Sequence, residues 1–362
     1  MREVAAIRQK QRQFPLFFLF FLSGAVIAWT LLAPEKVSHE VMRACTLFVT
    51  AVLPPLFTFS VSLRILMRLG LCEWLARSPL RRIFSFFGVS VGAGTAFAIG
   101  LFAGFPTGVL LLCELCGEED RERVARLLPL CNNAGASFVI GAVGSSLFGS
   151  ADVGLVLFLA QTAAALLSLC LFVGSDSGNT GIRAMKKYSP VGALTSAVTE
   201  SASVAVAVCG YIVFFSVFSA LICAVIPMPR VANALMRGVV ELSGGVAALS
   251  ETGLVMPVRL ALCGLMLGFG GGCVFLQAAD IAERSGVSVR FYFMERVVFA
   301  ALCSGFTLLF FDTSDTMYAW PVRWGVFIVI FTIAGVKNKI FFQKRVEKRK
   351  GMLYNSNENP CP

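Results

Sequence analysis

Long apolar stretches alternate with short polar connectors along the whole chain. Hydropathy predicts membrane segments at 14–33, 41–70, 83–116, 127–149, 151–173, 204–226, 233–255, 258–280, 291–311 and 320–336. Polar connectors separate them at 34–40, 76–82, 117–126, 174–190, 281–290 and 312–319. The first run, FPLFFLFFLSGAVIAWTLLA, holds 20 residues without a charge, about one bilayer span. It exceeds the 7–15 residues of a typical signal-peptide core (about half its length), so a retained first helix is expected rather than a cleaved leader. The pattern predicts an all-α polytopic membrane protein.

One run is too long for a single crossing. Residues 83–116 contain 34 positions and one charge, Glu114. As a straight helix they would extend about 51 Å, against a hydrocarbon core of about 30 Å. Within them stands Gly104-Phe105-Pro106-Thr107-Gly108. Pro106 has no N–H to give a helix, and glycine permits sharp turns or close backbone approach. The run is therefore expected to double back or to break into two half-helices. Freed backbone groups in lipid cost several kcal/mol (roughly) unless protein or a water-filled cavity satisfies them, which favours a cavity here. The alternative is close helix packing of the Gly-x-x-x-Gly kind through Gly104 and Gly108.

The two sides of the polar connector 174–190 share short matches. Gly104-Phe105-x-x-Gly108-x-x-x-Leu112 recurs as Gly268-Phe269-x-x-Gly272-x-x-x-Leu276, and Phe59-Ser60-Val61 recurs as Phe215-Ser216-Val217. GEEDRER at 117–123 and DIAERSG at 280–286 follow the Gly-Phe elements. These matches predict two duplicated halves, packed as inverted repeats with re-entrant or broken helices, and a solute site between them near the midplane. The helix breaks are assigned to Gly104, Pro106 and Gly108, and to Gly268, Gly270 and Gly272. Strict inversion conflicts with the basic C-terminal end, which the positive-inside rule places in the cytoplasm. One later segment is then expected to be re-entrant or interfacial.

Polar residues inside apolar runs supply the candidate chemistry. In LPLCNNAGASFVIGAVG, residues 128–144, Asn132 and Asn133 stand beside Ser137. Amides offer donors and an acceptor without charge, and an unwound Asn-Asn ahead of a half-helix would aim them at a solute; an interfacial helix cap is the alternative. Glu241 and Ser243 in VVELSGGVAAL, and Gln277, are the corresponding candidates further on. A carboxylate at membrane depth is expensive and faces a cavity or partner, so Glu241 is the candidate for a coupling proton or sodium ion. Phe105 and Thr107 complete the substrate-binding set. Arg64, Arg259 and Arg296 lie near segment ends, where snorkelling is expected.

Composition narrows the classes further. The chain is 57% hydrophobic and 14% charged, against about 25% charged in soluble domains. Of the net charge of +10, +3 falls in residues 1–13 and +6 in residues 337–350. Basic flanks of apolar segments mark the cytoplasmic side and attract anionic lipid; nucleic acid is not an expected partner. Most of the 12 cysteines sit in apolar runs as small hydrophobes. Cys113 and Cys116 have CxxC spacing without a second pair, so no metal or cofactor is expected. His39 is the only histidine, which argues against a histidine-based triad or zinc enzyme. No phosphate-binding glycine motif is present. A non-enzymatic protein is expected.

GFPTG at 104–108, the charged loop and LLPLCNNAGASFVIGAVG resemble the sporulation integral membrane proteins of the YlbJ (SpoVV) family, which carry Gate, or nucleoside-recognition, modules. CGYIVFFSV (209–217), ELSGG (241–245) and GFGGGCVFLQ (268–277) fit the same resemblance, which covers roughly residues 40–310. Phe105 stands where the family pattern has Tyr, and Ala134-Gly135-Ala136 where it has a Pro-containing run. Hydropathy and charge give a basic N-terminus and first transmembrane helix at 1–40, a polar linker at 174–190 and a last helix with a basic tail at 312–362, and the resemblance implies Gate-like repeats at 41–173 and 191–311. It implies a transporter in the outer forespore membrane that carries dipicolinic acid from mother cell towards spore. Nucleosides or another small polar solute are the alternative cargo, and a non-transporting sporulation scaffold the alternative role.

Overall fold

The computed structural model describes residues 20–116, 121–173, 189–311, 321–337 and 340. The basic N-terminus, most of the 174–190 linker, the 312–319 connector and the basic tail past Ile340 lie outside the described residues. Every regular element among the described residues is helical: α1 (Phe20–Leu32), α2 (Pro34–Leu47), a π-helical turn (Phe48–Val52), α3 (Leu53–Arg68), α4 (Leu71–Arg77), α5 (Leu80–Phe86), α6 (Val91–Ala103), α7 (Thr107–Leu115) and α8 (Arg121–Cys131). A ten-residue π-helix (Phe138–Leu147), α9 (Ala151–Phe172), α10 (Pro190–Val225), α11 (Arg230–Val240), α12 (Leu242–Ser250), α13 (Met256–Phe269), α14 (Gly271–Arg284) and α15 (Tyr292–Phe310) follow. Residues 321–337 form a last helix.

Among these, four helical segments are long and apolar enough to cross a membrane: α9, α10, α13 with α14, and α15; α1 and α2, bent by 110°, make a fifth if counted as one span. The remaining apolar segments of the hydropathy profile are shorter helices folded against one another. Large side chains such as Val191, Val206 and Val225 on α10 stay exposed, the outside-apolar surface that lipid requires.

Two units of the same kind occupy the centre. In the first, α6 and α7 form an antiparallel hairpin: Gly92 lies beside Leu115, and Gly100 faces Gly108. A Cβ at Gly100 or Gly108 would overlap the Cys131 carbonyl, so the hairpin is pressed onto the end of α8 at a distance only glycine allows. Ser90 starts α6 by accepting from the Ala93 N–H at 3.2 Å. Gly104 ends it with φ +85°, ahead of a cis Phe105-Pro106 bond. The expected doubling-back of 83–116 is present. Then α8 stops at Cys131, and an extended stretch leads to the π-helix.

The second unit repeats this sequence of parts. Helices α11 and α12 form a hairpin whose arms meet where Gly245 sits on Gly238. It turns at Glu241 alone, so hydropathy reads its two arms as one span, 233–255. Helices α13 and α14 then run as one span interrupted at Gly270, φ +85°. The Gly-Phe match consequently pairs unlike places: Gly104 is a hairpin tip, whereas Gly268 and Gly272 are helical residues on either side of the interruption at Gly270. Gly104 and Glu241 each stand at a hairpin tip, and 132–135 and Gly270 each interrupt the helical path.

Candidate functional site

The hairpin tips and helix breaks meet around one small cavity, with a volume of about 50 Å3, that is partly open to the exterior. The first tip contributes Gly104 and Phe105, and the break after α8 contributes Gly135 and Phe138. The second tip brings Glu241, Leu242 and Ser243, and the first two turns of α14 bring Cys273, Val274 and Gln277. Val52, Leu56 and, from α10, Val208 and Ile212 close the remaining wall. Positions 208 and 212 lie near the middle of α10, a 36-residue helix.

Contacts between tips and breaks fix the cavity's shape. At Gly104 a Cβ would come within 2.7 Å of the Gly135 N. At Gly271, φ +80°, it would come within 2.9 Å of the Gly238 O. Each tip thus rests on the break of its own unit.

Glu241 is 2% exposed and caps α12 with its own carboxylate. Oε1 accepts from the Ser243 N–H at 2.8 Å and Oε2 from the Gly244 N–H at 2.6 Å. Negative charge at a helix start is favourable, which explains how a carboxylate tolerates this depth. The Arg43 guanidinium stands over the same turn, 3.1 Å from where a Gly244 Cβ would project. Arg43 also donates to Glu40 (3.1 Å), which in turn pairs with Arg237 of α11 at 3.3 Å. Gln277 donates to the Cys273 thiol at 3.3 Å, while its Oε1 has no partner.

Of the residues picked from sequence, Phe105, Glu241, Ser243, Gln277 and Gly104 line this cavity; Thr107, Asn132, Asn133 and Ser137 do not. Both asparagines are fully buried. Asn132 donates from Nδ2 to the Tyr292 hydroxyl at 2.6 Å, and Asn133 to the Leu130 carbonyl at 2.6 Å. Gln161 of α9 donates to the Ala134 carbonyl at 2.8 Å. These amides hold the break open from behind rather than face the cavity. Of the assigned breaks, Gly104, Pro106 and Gly270 stand between helices, whereas Gly108, Gly268 and Gly272 lie inside α7, α13 and α14 because they serve close packing or continue the helix. Apart from Gly104 none lines the cavity.

The three arginines expected to snorkel are engaged with protein instead. Arg64 pairs with Glu200 at 2.6 Å and lies 3.7 Å from Glu114, and Arg259 donates to the Ser250 carbonyl at 2.9 Å. Arg296 is 1% exposed. The partners of Arg64 and Arg296 are distant in the chain, which is why segment-end position misplaced those two. Among the described residues no group of three or more His, Cys, Asp or Glu converges as a metal site would require.

The chain is similar to the sporulation integral membrane protein YlbJ of Bacillus subtilis (strain 168), 24% identical over 352 residues that span 85% of this chain and 84% of the relative. This chain is a multi-pass integral membrane protein. Among solved structures it is similar to CNTnw in an inward-facing substrate-bound state, with a TM-score of 0.44 and 14% identity over 89% of this chain and 86% of that one. No family model matches.

Proposed function

We propose that the protein is a secondary transporter whose solute binds in the cavity between the two hairpin tips. What supports this is the convergence of four backbone irregularities on one space lined by a carboxylate, a hydroxyl and an amide. Irregular backbone in a membrane protein is tolerated where it lines a cavity, and a pure scaffold needs none. The residues carry no acid–base pair poised for chemistry, so the reading is of a carrier and not an enzyme.

Dipicolinate is the first solute to test, on the strength of the likeness to a sporulation membrane protein. Phe105 and Phe138 suit a flat ring. Its two carboxylates meet Glu241, so this cargo requires a proton on Glu241 or release of that side chain from the Ser243 and Gly244 N–H groups. That requirement makes proton coupling part of the dipicolinate reading, with sodium the alternative coupling ion. A neutral nucleoside-like solute is the second reading, favoured by the unpartnered Gln277 Oε1, which accepts from a hydroxyl or amine that dipicolinate lacks.

The test is uptake of labelled dipicolinate into proteoliposomes holding the purified chain, with uridine in parallel. Saturable dipicolinate uptake that depends on a proton gradient, with that dependence lost in Glu241→Gln, supports the first reading. Uridine uptake alone, weakened in Gln277→Ala, moves the assignment to the second. No uptake of either by folded protein favours the scaffold.

A further inference from the structure

Arg296 does something that neither the cavity nor the proposed transport accounts for. It projects from α15 into the space between the two interrupted helices. Nη1 donates to the carbonyls of Asn132 (2.9 Å) and Pro129 (3.3 Å), at the end of α8. Nη2 and Nε donate to Leu267 (3.3 Å) and Phe269 (3.2 Å), at the end of α13. One guanidinium therefore caps the C-terminal ends of both half-helices. Among the described residues no carboxylate pairs with it.

Electrostatics explains why a cation is stable there. A buried charge without a partner is strongly unfavourable, yet the C-terminal end of a helix carries partial negative charge and unpaired carbonyls. Two such ends aimed at one point replace the missing counter-ion. The Phe299 ring, 4.8 Å from the guanidinium carbon, lies against it. The planar fork of five N–H donors suits two separate carbonyl pairs; a lysine ammonium would not span them.

The neighbouring side chains tie the same two breaks. Tyr292, one turn before Arg296 on α15, accepts from Asn132. On the other side, a Cβ at Gly270 would lie 3.1 Å from Arg296 Nη2, so the left-handed glycine leaves the room the guanidinium occupies. Of the cavity-lining residues, Gly135 lies within the first break, and Cys273 and Val274 follow Gly270 by three and four positions.

We propose that Arg296 is a positioning residue that joins the two helix breaks into one body, so that displacing either break displaces the other. The two faces of the cavity behind the hairpin tips then move together. The proposal concerns the protein alone and does not depend on which solute is carried.

Native cysteines make the test possible without new reporters. Cys131 ends α8, Cys263 lies in α13, and Cys170 in α9 is a buried control. Labelling by N-ethylmaleimide is followed by mass spectrometry on the full chain in detergent. Gly270→Ala pushes on the guanidinium from the α13 side only. It is expected to raise labelling of Cys131, across the brace, at least tenfold with Cys170 unchanged, and Arg296→Gln to raise Cys131 and Cys263 together. Arg296→Lys, which keeps the charge but not the fork, falls between wild type and Arg296→Gln. A rise at Cys263 with Cys131 unmoved in Gly270→Ala, or no rise at either, overturns the proposal. If Gly270→Ala exposes Cys170 as well, the decision passes to Tyr292→Phe, which loosens only the α8 side. An unmoved Cys263 in that variant also overturns it.

Discussion

The two hairpins solve the same physical problem with different chemistry. Each must reverse the chain beside a cavity, and each packs its arms through facing glycines: Gly100 with Gly108 in one, Gly238 with Gly245 in the other. The first turns through Gly104 and the Phe105-Pro106 bond, with no charged side chain at its tip. The second turns at Glu241, whose carboxylate takes up two orphan N–H groups of α12. Removing a donor with proline and satisfying donors with a carboxylate are both answers to unpaired backbone in an apolar setting. Only the second leaves an ionisable group in the cavity.

The glycine contacts, common to both hairpins, give the largest expected effect. In Gly108→Ala the new methyl overlaps the Cys131 carbonyl, and in Gly245→Ala it overlaps the Gly238 backbone. Backbone cannot swing aside as a side chain does, so each substitution is expected to cost about 3 kcal/mol or more. That outweighs the roughly 1 kcal/mol by which alanine improves on glycine in a helix. Gly210 in α10 has nothing within 4 Å of its Cβ position, so Gly210→Ala is expected to stabilise by about 0.5–1 kcal/mol. Thermal unfolding in detergent checks all three; equal midpoints for Gly108→Ala and Gly210→Ala would remove the close-packing account.

The tips are where the hairpins differ, and Glu241 tests that difference. Glu241→Ala strands two buried N–H groups, at about 1–3 kcal/mol for each. Glu241→Gln keeps one acceptor and is expected to lose about half as much. Phe105→Ala at the other tip strands no donor. A Glu241→Ala midpoint no lower than that of Glu241→Gln would show that the carboxylate is not what holds the turn.

How far the sequence revealed this follows from the range of each signal. The break at 104–108 was legible because a local excess of length and a Gly-Pro cluster mark it. Glu241, Ser243 and Gln277 were legible as polar positions in apolar runs, and they meet in the cavity. The second hairpin was not, since its turn is a single residue and hydropathy averages across it. Asn132 and Asn133 mark a break correctly, but the direction of their side chains depends on Tyr292 and Leu130. Arg296 was read as a segment-end residue because its four carbonyl partners come from other helices. Short Gly-Phe matches mispaired a tip with a span interruption; in a chain with 33 glycines and 33 phenylalanines such identity recurs readily.

A smaller effect is expected where the second hairpin is held from outside. Glu40 of α2 receives Arg237 of α11 at 3.3 Å, with both side chains 15% exposed. The first hairpin has a looser counterpart, Arg64 of α3 to Glu114 of α7 at 3.7 Å. Glu40→Gln is expected to lower stability by about 1 kcal/mol, and Glu114→Gln by less. The charge swap Glu40→Arg with Arg237→Glu should recover part of the loss; no recovery would mean that the pair is incidental to holding the hairpin.

The smallest effect on folding, and the most selective on function, belongs to Gln277. Its Oε1 has no partner and its Nε2 only a weak thiol acceptor, so Gln277→Leu removes little that holds the fold. The apolar replacement also relieves an unsatisfied buried acceptor, and the net change in stability is expected within about 1 kcal/mol. A solute that donates to Oε1 would lose one hydrogen bond, about 0.5–1.5 kcal/mol of binding or up to roughly tenfold in KM. A dianion that bears no donor at that position would be carried with KM unchanged. Measuring KM for dipicolinate and uridine in this variant therefore separates the two readings at the tip that carries Glu241, while the unfolding midpoint confirms that the cavity is intact.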